Sequence, residues 1–190
     1  MTIYCIEGPD CCGKTTLANA MAKKLDAAIF HHTYIKGWTK ADLLNHFQQG
    51  MNHMKAANIY SNDLILDRGW ISTAIYGDIY RYNPLEIDTP VWQHMYKDMG
   101  VKYIMCHTEY NEWQARYKES KDEMYEMDEN MHKIYEWYYG YWSGSFVGGV
   151  NTNKHLDKIS EAGGFKRVLN MPLFDYTRKN TEEFLVEYLI

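Results

Sequence analysis

Four residues near the start of the chain, Gly8, Gly13, Lys14 and Thr15, stand at the spacing G-x-x-x-x-G-K-[ST], which suits the grip of a phosphate chain. The glycines let the backbone approach phosphate oxygens and take dihedrals that other residues resist. Loop amides and the mouth of a following helix then point at the anion, with about half a positive charge on the helix end. Lys14 would reach the outer phosphates, and the Thr15 hydroxyl would sit on Mg²⁺. A bare glycine turn would need none of this, and the context favours phosphate: an apolar strand over 2–7 and a helix over 14–25. Gly8, Cys11, Cys12, Gly13, Lys14, Thr15 and Thr16 are the candidate ATP-binding residues.

A second group follows an apolar run. Leu64-Ile65-Leu66 ends in Asp67, as expected for the acid that holds Mg²⁺ opposite a phosphate loop. Thr15 and Asp67 are the candidate metal residues. Arg68 stands beside that acid, and a guanidinium fork fits a phosphate bidentately. An ordinary salt bridge at a strand end is the bland alternative for Arg68. Core packing is the alternative for Tyr76, and turn capping for Asp10.

The phosphate loop resembles that of P-loop NTP-binding proteins. With the second group added, the chain resembles thymidylate kinase, the nucleoside monophosphate kinase for dTMP. That family carries Glu-Gly-x-Asp-x-x-Gly-Lys-[Ser/Thr]-Thr, matched from Glu7 to Thr16, and Asp-Arg-Tyr-x-x-Ser-x-x-x-Tyr, matched by Asp67, Arg68, Ser72 and Tyr76. Gly69 stands where the family has tyrosine. The resemblance implies Asp67 near Mg²⁺ and the transferring phosphate, and Arg68 on the acceptor's phosphate. It implies Ser72 and Thr73 beside the base, Tyr76 under the deoxyribose, and Asp10 on the sugar 3′-hydroxyl.

The family's lid commonly presents arginines, and here the match weakens. The stretch from about 116 to 126 offers Arg116, Lys118 and Lys121, with Met124 where an arginine is expected. Arg116 and one lysine are the candidates to neutralise the transferring phosphate. Phe47, in the helix before the third strand, is the candidate base-stacking ring, with Trp38 and Tyr34 behind it. Arg81 is a weaker phosphate or base contact, and Tyr176 and Thr177 are candidate neighbours of adenine.

These residues need a scaffold. Leu17, Met21 and Leu25 give the first helix an apolar face. A short strand over 27–30 ends near His31-His32, which point to opposite faces and make poor co-ligands for one metal. Thr39 caps a helix to about Tyr60. Helices over 70–81 and from Thr89 or Pro90 to Met99 precede a fourth strand, 101–106. Helices over 111–118 and 124–141, a glycine-containing loop over 143–164, a fifth strand over 166–171 and a closing helix over 181–189 complete the chain. Alternating strands and helices signal α/β architecture: a five-stranded parallel sheet covered on both faces, one domain over 1–190. Ligands on such sheets bind beyond the carboxyl ends of the strands.

Composition bounds the partners. The chain has 190 residues, 46% of them hydrophobic, and 17 tyrosines, so it can bury a core and spare rings for a nucleobase. A net charge of −5 argues against a general nucleic-acid binder. Cys5, Cys11, Cys12 and Cys106 have no metal or redox spacing, so reduced thiols and a cytoplasmic location are expected. No signal peptide or membrane helix is expected.

The expected function is ATP-dependent, Mg²⁺-dependent phosphorylation of a deoxynucleoside monophosphate, with dTMP first; members of the resembled family are commonly dimers, and the sequence itself leaves the oligomeric state open. One rival is a deoxynucleoside kinase, with Glu7 as the base acting on a hydroxyl. The other is a GTP-dependent switch, but Asn153-Lys154-His155-Leu156-Asp157 is one residue too long for the guanine-reading motif.

Overall fold

The computed structural model describes residues 1–35, 37–80, 89–120, 129–143 and 173–175, with positions 181, 184 and 185. Among them five strands, β1 (Ile3–Glu7), β2 (Ala28–His31), β3 (Leu64–Asp67), β4 (Lys102–His107) and β5 (Leu173–Asp175), form one sheet in the order β2-β3-β1-β4-β5. Every pairing is parallel. β5 is a three-residue edge piece. The expected fifth strand, 166–171, lies outside the described residues.

Among the described residues six helices join these strands: α1 (Lys14–Leu25), α2 (Lys40–Tyr60), α3 (Trp70–Tyr80), α4 (Thr89–Asp98), α5 (Tyr110–Glu119) and α6 (Glu129–Ser143). Positions 181, 184 and 185, where the closing helix is expected, are helical. Local chemistry sets several boundaries. Thr39 caps α2 by accepting from the Asp42 amide, while the Asp42 carboxylate accepts from the Thr39 amide; this capping box fixes the helix start. Gly100, in the left-handed region at φ 65°, follows α4 and lets the chain turn into β4.

β1 is the central strand and all five of its residues are buried. Such a strand reads as a continuous apolar run because helices cover both of its faces. Leu17 and Met21 of α1, Ile71 and Ile75 of α3, and Met131 and Ile134 of α6 are all buried in the same core as β1, β3 and β4. Each such side chain contributes roughly 1.5–3 kcal/mol relative to exposure. β2 is an edge strand, mostly exposed. No helix among the described residues is long and apolar enough to cross a membrane.

Register is what places the site. Ile6 pairs with Asp67, and Asp67 pairs in turn with His31. The carboxyl ends of three adjoining strands therefore meet where the loop after β1 begins.

Candidate active site

The loop between β1 and α1 depends on two special backbone positions. Gly13, at φ 77°, occupies the N-cap of α1 in the left-handed region. Gly8 has φ 145°, and a Cβ there would lie 2.4 Å from the Cys106 carbonyl oxygen. The loop therefore packs directly on the β4 backbone, which only glycine permits.

A cleft of about 390 Å³ opens beyond the strand ends. Its walls include Asp10, Cys11, Gly13, Lys14, Thr15 and Thr16 on the loop side, and Arg68, Ser72, Thr73 and Tyr76 from the start of α3. Phe47 and Leu43 of α2 line it, as do His31, His32 and Tyr34 near the end of β2. Gly8 and Cys12 are not among its lining residues. Gly8 contributes packing and a carbonyl instead. Cys12 is fully buried, and burial pushes its thiol up to about 12, so it is an inert part of the core.

Two groups converge on the Asp67 carboxylate. Thr15 donates to Asp67 Oδ2 at 2.8 Å, and His31 Nδ1 lies 2.9 Å from the same oxygen. Asp67 Oδ1 is buried with no hydrogen-bond partner among the described residues. Burial alone would raise this carboxyl's pKa, but the His31 hydrogen bond, Lys14 and Thr15 outweigh it and hold the group low. An ionised carboxylate with an unsatisfied oxygen beside a threonine hydroxyl is a donor set that fits Mg²⁺. Sequence reasoning missed His31. The signal was available in the strand order: once β2 neighbours β3, the last residue of one falls opposite the last residue of the other.

Lys14 is buried and its ammonium donates to the Pro9 carbonyl. Burial and the neighbouring Arg68 lower its pKa, against the pull of Asp10, Cys12 and Asp67.

Arg68 is held from several sides. Its backbone sits in the left-handed region at φ 72°, a conformation that costs a non-glycine residue roughly 1–2 kcal/mol. One Nη1 donates to Gly8 O at 3.2 Å and to Ser72 Oγ at 3.1 Å, and Nη2 pairs with the Asp10 carboxylate. The guanidinium carbon lies 5.1 Å from the Tyr76 ring centroid, within cation–π range. Tyr76 donates to Asp10 Oδ2 at 2.8 Å. Burial would raise the Asp10 pKa, but Arg68, Lys14 and the Tyr76 hydroxyl together lower it. The Asp10 carbonyl accepts from the Trp113 indole at 2.8 Å, which ties the loop to α5.

Glu7 lies behind this wall. It is buried and is not among the cleft's lining residues. Ser72 donates its hydroxyl to one Glu7 oxygen, and the Ser72 amide lies 3.4 Å from the other. Burial raises its pKa, only partly offset by Ser72, Arg68 and Lys14. Gly69, where the resembled family has tyrosine, has a physical reason. A Cβ there would stand 2.8 Å from Cys5 Sγ and 3.2 Å from Glu7 Oε1.

The base-side residues are less open than expected. Phe47 lines the cleft, but it is only 1% exposed, with His32 stacked at 4.9 Å and Trp92 also at 4.9 Å. Tyr34 lines the cleft while Trp38 packs on Tyr34 and His46. Arg116 does not line it and pairs with Glu112, one turn back on α5. Lys118 lies near the end of α5. Arg81, Lys121, Met124, Tyr176, Thr177 and the 153–157 segment lie outside the described residues.

YorR from Bacillus subtilis, solved in complex with phosphorylated GDP, superposes with a TM-score of 0.63 at 19% identity. The alignment covers 99% of this chain and 94% of that one. That likeness is one of fold, an α/β domain with a parallel sheet and helices. Weaker likenesses include thymidylate kinase from Ehrlichia chaffeensis (TM-score 0.41, 16% identity, 70% of this chain and 94% of that one). Deoxyadenosine kinase from M. mycoides gives 0.46 and 16%, over 99% and 98% of the two chains. No protein family and no curated protein matches the sequence.

Proposed function

We propose that this protein is an ATP- and Mg²⁺-dependent kinase that phosphorylates a deoxynucleoside monophosphate, with dTMP converted to dTDP. One observation carries the reading: the phosphate loop and Arg68 line the same cleft, so two anionic groups can be held facing one another.

In this reading the loop amides and Lys14 hold the donor's phosphates, with Thr15 and Asp67 as the residues that would hold Mg²⁺. When bound, that ion would neutralise charge between the outer phosphates. Arg68 exchanges its pairing with Asp10 for the acceptor phosphate. Asp10, freed from the guanidinium, accepts from a sugar hydroxyl, with Tyr76 beside it. Thr73 and Phe47 border the base. An ionised phosphate needs no strong base, so the residues act by positioning and charge neutralisation. Arg116 and Lys118 or Lys121 complete the neutralisation on lid closure, which requires Arg116 to leave Glu112.

The nucleoside-kinase alternative needs a base on the cleft. Glu7 is buried beneath Ser72, which favours the monophosphate acceptor. A panel of deoxynucleosides and their monophosphates, assayed for ADP release from ATP, tests both. It should include dGMP, since YorR was solved with a guanine nucleotide. Turnover with dTMP and none with thymidine is expected. Turnover with thymidine alone would refute the proposal, and so would ATP hydrolysis that no acceptor stimulates.

A further inference from the structure

Ser72 bridges three groups that the proposed transfer leaves unconnected. Its Oγ lies 3.1 Å from Arg68 Nη1 and 2.7 Å from the Tyr138 hydroxyl of α6, and it donates to Glu7 Oε2. The chemistry fixes the direction of each bond. A guanidinium only donates, so Oγ must accept from Arg68. The hydroxyl has one proton and gives it to Glu7, so Tyr138 must donate as well. Both lone pairs and the single proton are thereby committed.

We propose that Ser72 and Glu7 are positioning residues for Arg68, with Glu7 acting through Ser72. Glu7 accepts the serine's only O–H hydrogen bond, which turns the lone pairs of Oγ toward Arg68 and fixes the plane of its fork. The inference rests on the reading of Arg68 as the acceptor-phosphate grip. Asp10 is the partner that the phosphate replaces. Ser72 stays, together with the Gly8 carbonyl on the same Nη1, so the guanidinium keeps its aim while the exchange occurs. The surroundings are built around this buried carboxylate. Residue 69 has no side chain because Cys5 and Glu7 fill the space a Cβ would need, and Cys5 Sγ lies 3.9 Å from Glu7 Oε1. The left-handed backbone of Arg68 gives the fork a fixed origin, and Ser72 one turn later gives it a fixed end.

The test compares R68A, S72A, S72T and E7Q with the wild-type full chain. Calorimetric titration with dTMP and with ATP–Mg²⁺ would be followed by steady-state kinetics for both. S72A should weaken dTMP binding by about tenfold, in keeping with a lost charge-assisted hydrogen bond, while ATP binding stays unchanged. The KM for dTMP should rise more than kcat falls. S72T keeps the hydroxyl and should recover dTMP affinity. E7Q keeps a carbonyl oxygen to accept from Ser72 and should hold kcat within about tenfold. If R68A weakens dTMP and S72A does not, the positioning role fails and the acceptor reading survives. Should E7Q lower kcat by about a thousandfold with dTMP affinity intact, Glu7 is a base and the inference is overturned. Wild-type dTMP affinity in R68A overturns the acceptor reading and this inference with it. ATP affinity reports folding in every variant, and S72C, whose thiol is only a weak acceptor, takes the place of S72A with the same expected loss of dTMP affinity if S72A does not fold.

Discussion

Replacing His32 by phenylalanine should remove an acid-sensitive component of stability whose size follows from the structure. His32 is buried against Phe30, His46 and Phe47, and neither ring nitrogen has a hydrogen-bond partner among the described residues. Burial first, then the charges of His46 and His31, lower its pKa from 6.5 to about 3. The sign follows from proton counts. Between these values the unfolded chain binds a proton that the folded chain refuses, so stability is present above pH 6.5 and drains away as pH falls toward 3. At about 1.4 kcal/mol per pH unit, the 1.5 units from 6.5 down to 5 amount to about 2 kcal/mol. Phenylalanine fills similar space, can stack on Phe47 and does not titrate. Urea unfolding at pH 7 and pH 5 should show the wild-type chain losing about 2 kcal/mol more than His32→Phe over that interval. Parallel losses in the two proteins would refute the reasoning, whatever their absolute stabilities.

Three further outcomes are expected. Gly8→Ala should cost more than about 2 kcal/mol in thermal or urea unfolding, because the new methyl meets the Cys106 carbonyl at a glycine-only dihedral; a wild-type midpoint would contradict the packing described. Asp67→Asn should weaken Mg²⁺-dependent ATP binding by about tenfold or more and leave metal-free ATP binding little changed, measured by titration with and without chelator. Trp113→Phe leaves the Asp10 carbonyl without its indole donor and should cost about 1–3 kcal/mol of stability, read from the unfolding midpoint.

The sequence and the structure agree best where the signal is local. The glycine loop between β1 and α1, the bounds of α1 and β3 and the Thr39 cap follow from short-range patterns, and the structure reproduces them. β2 and β4 each start and end one residue later than expected, the ordinary slack of an element end. Glu7 was legible as a residue but not as a buried one, since its burial depends on Ser72 and Tyr138 arriving from α3 and α6. Likewise the Asp10–Arg68 pair joins residues 58 positions apart, and no periodicity encodes which carboxylate a guanidinium will choose. Phe47 was legible as a ring facing the site, but His32 stacking on it was not, because that contact needs β2 to lie against α2.

The ordering of the strands has a consequence for how the cleft is assembled as the chain is made. Thr15 meets Asp67 across 52 residues, and Trp113 reaches Asp10 across 103. Closing such long intervals costs entropy before any contact repays it, and parallel pairing of distant segments is slow. A nascent chain that has emerged only past the glycine loop thus carries the motif without the grip. In refolding, tight nucleotide capture should appear together with the slowest phase, which makes a fluorescent ATP analogue a reporter of completed assembly.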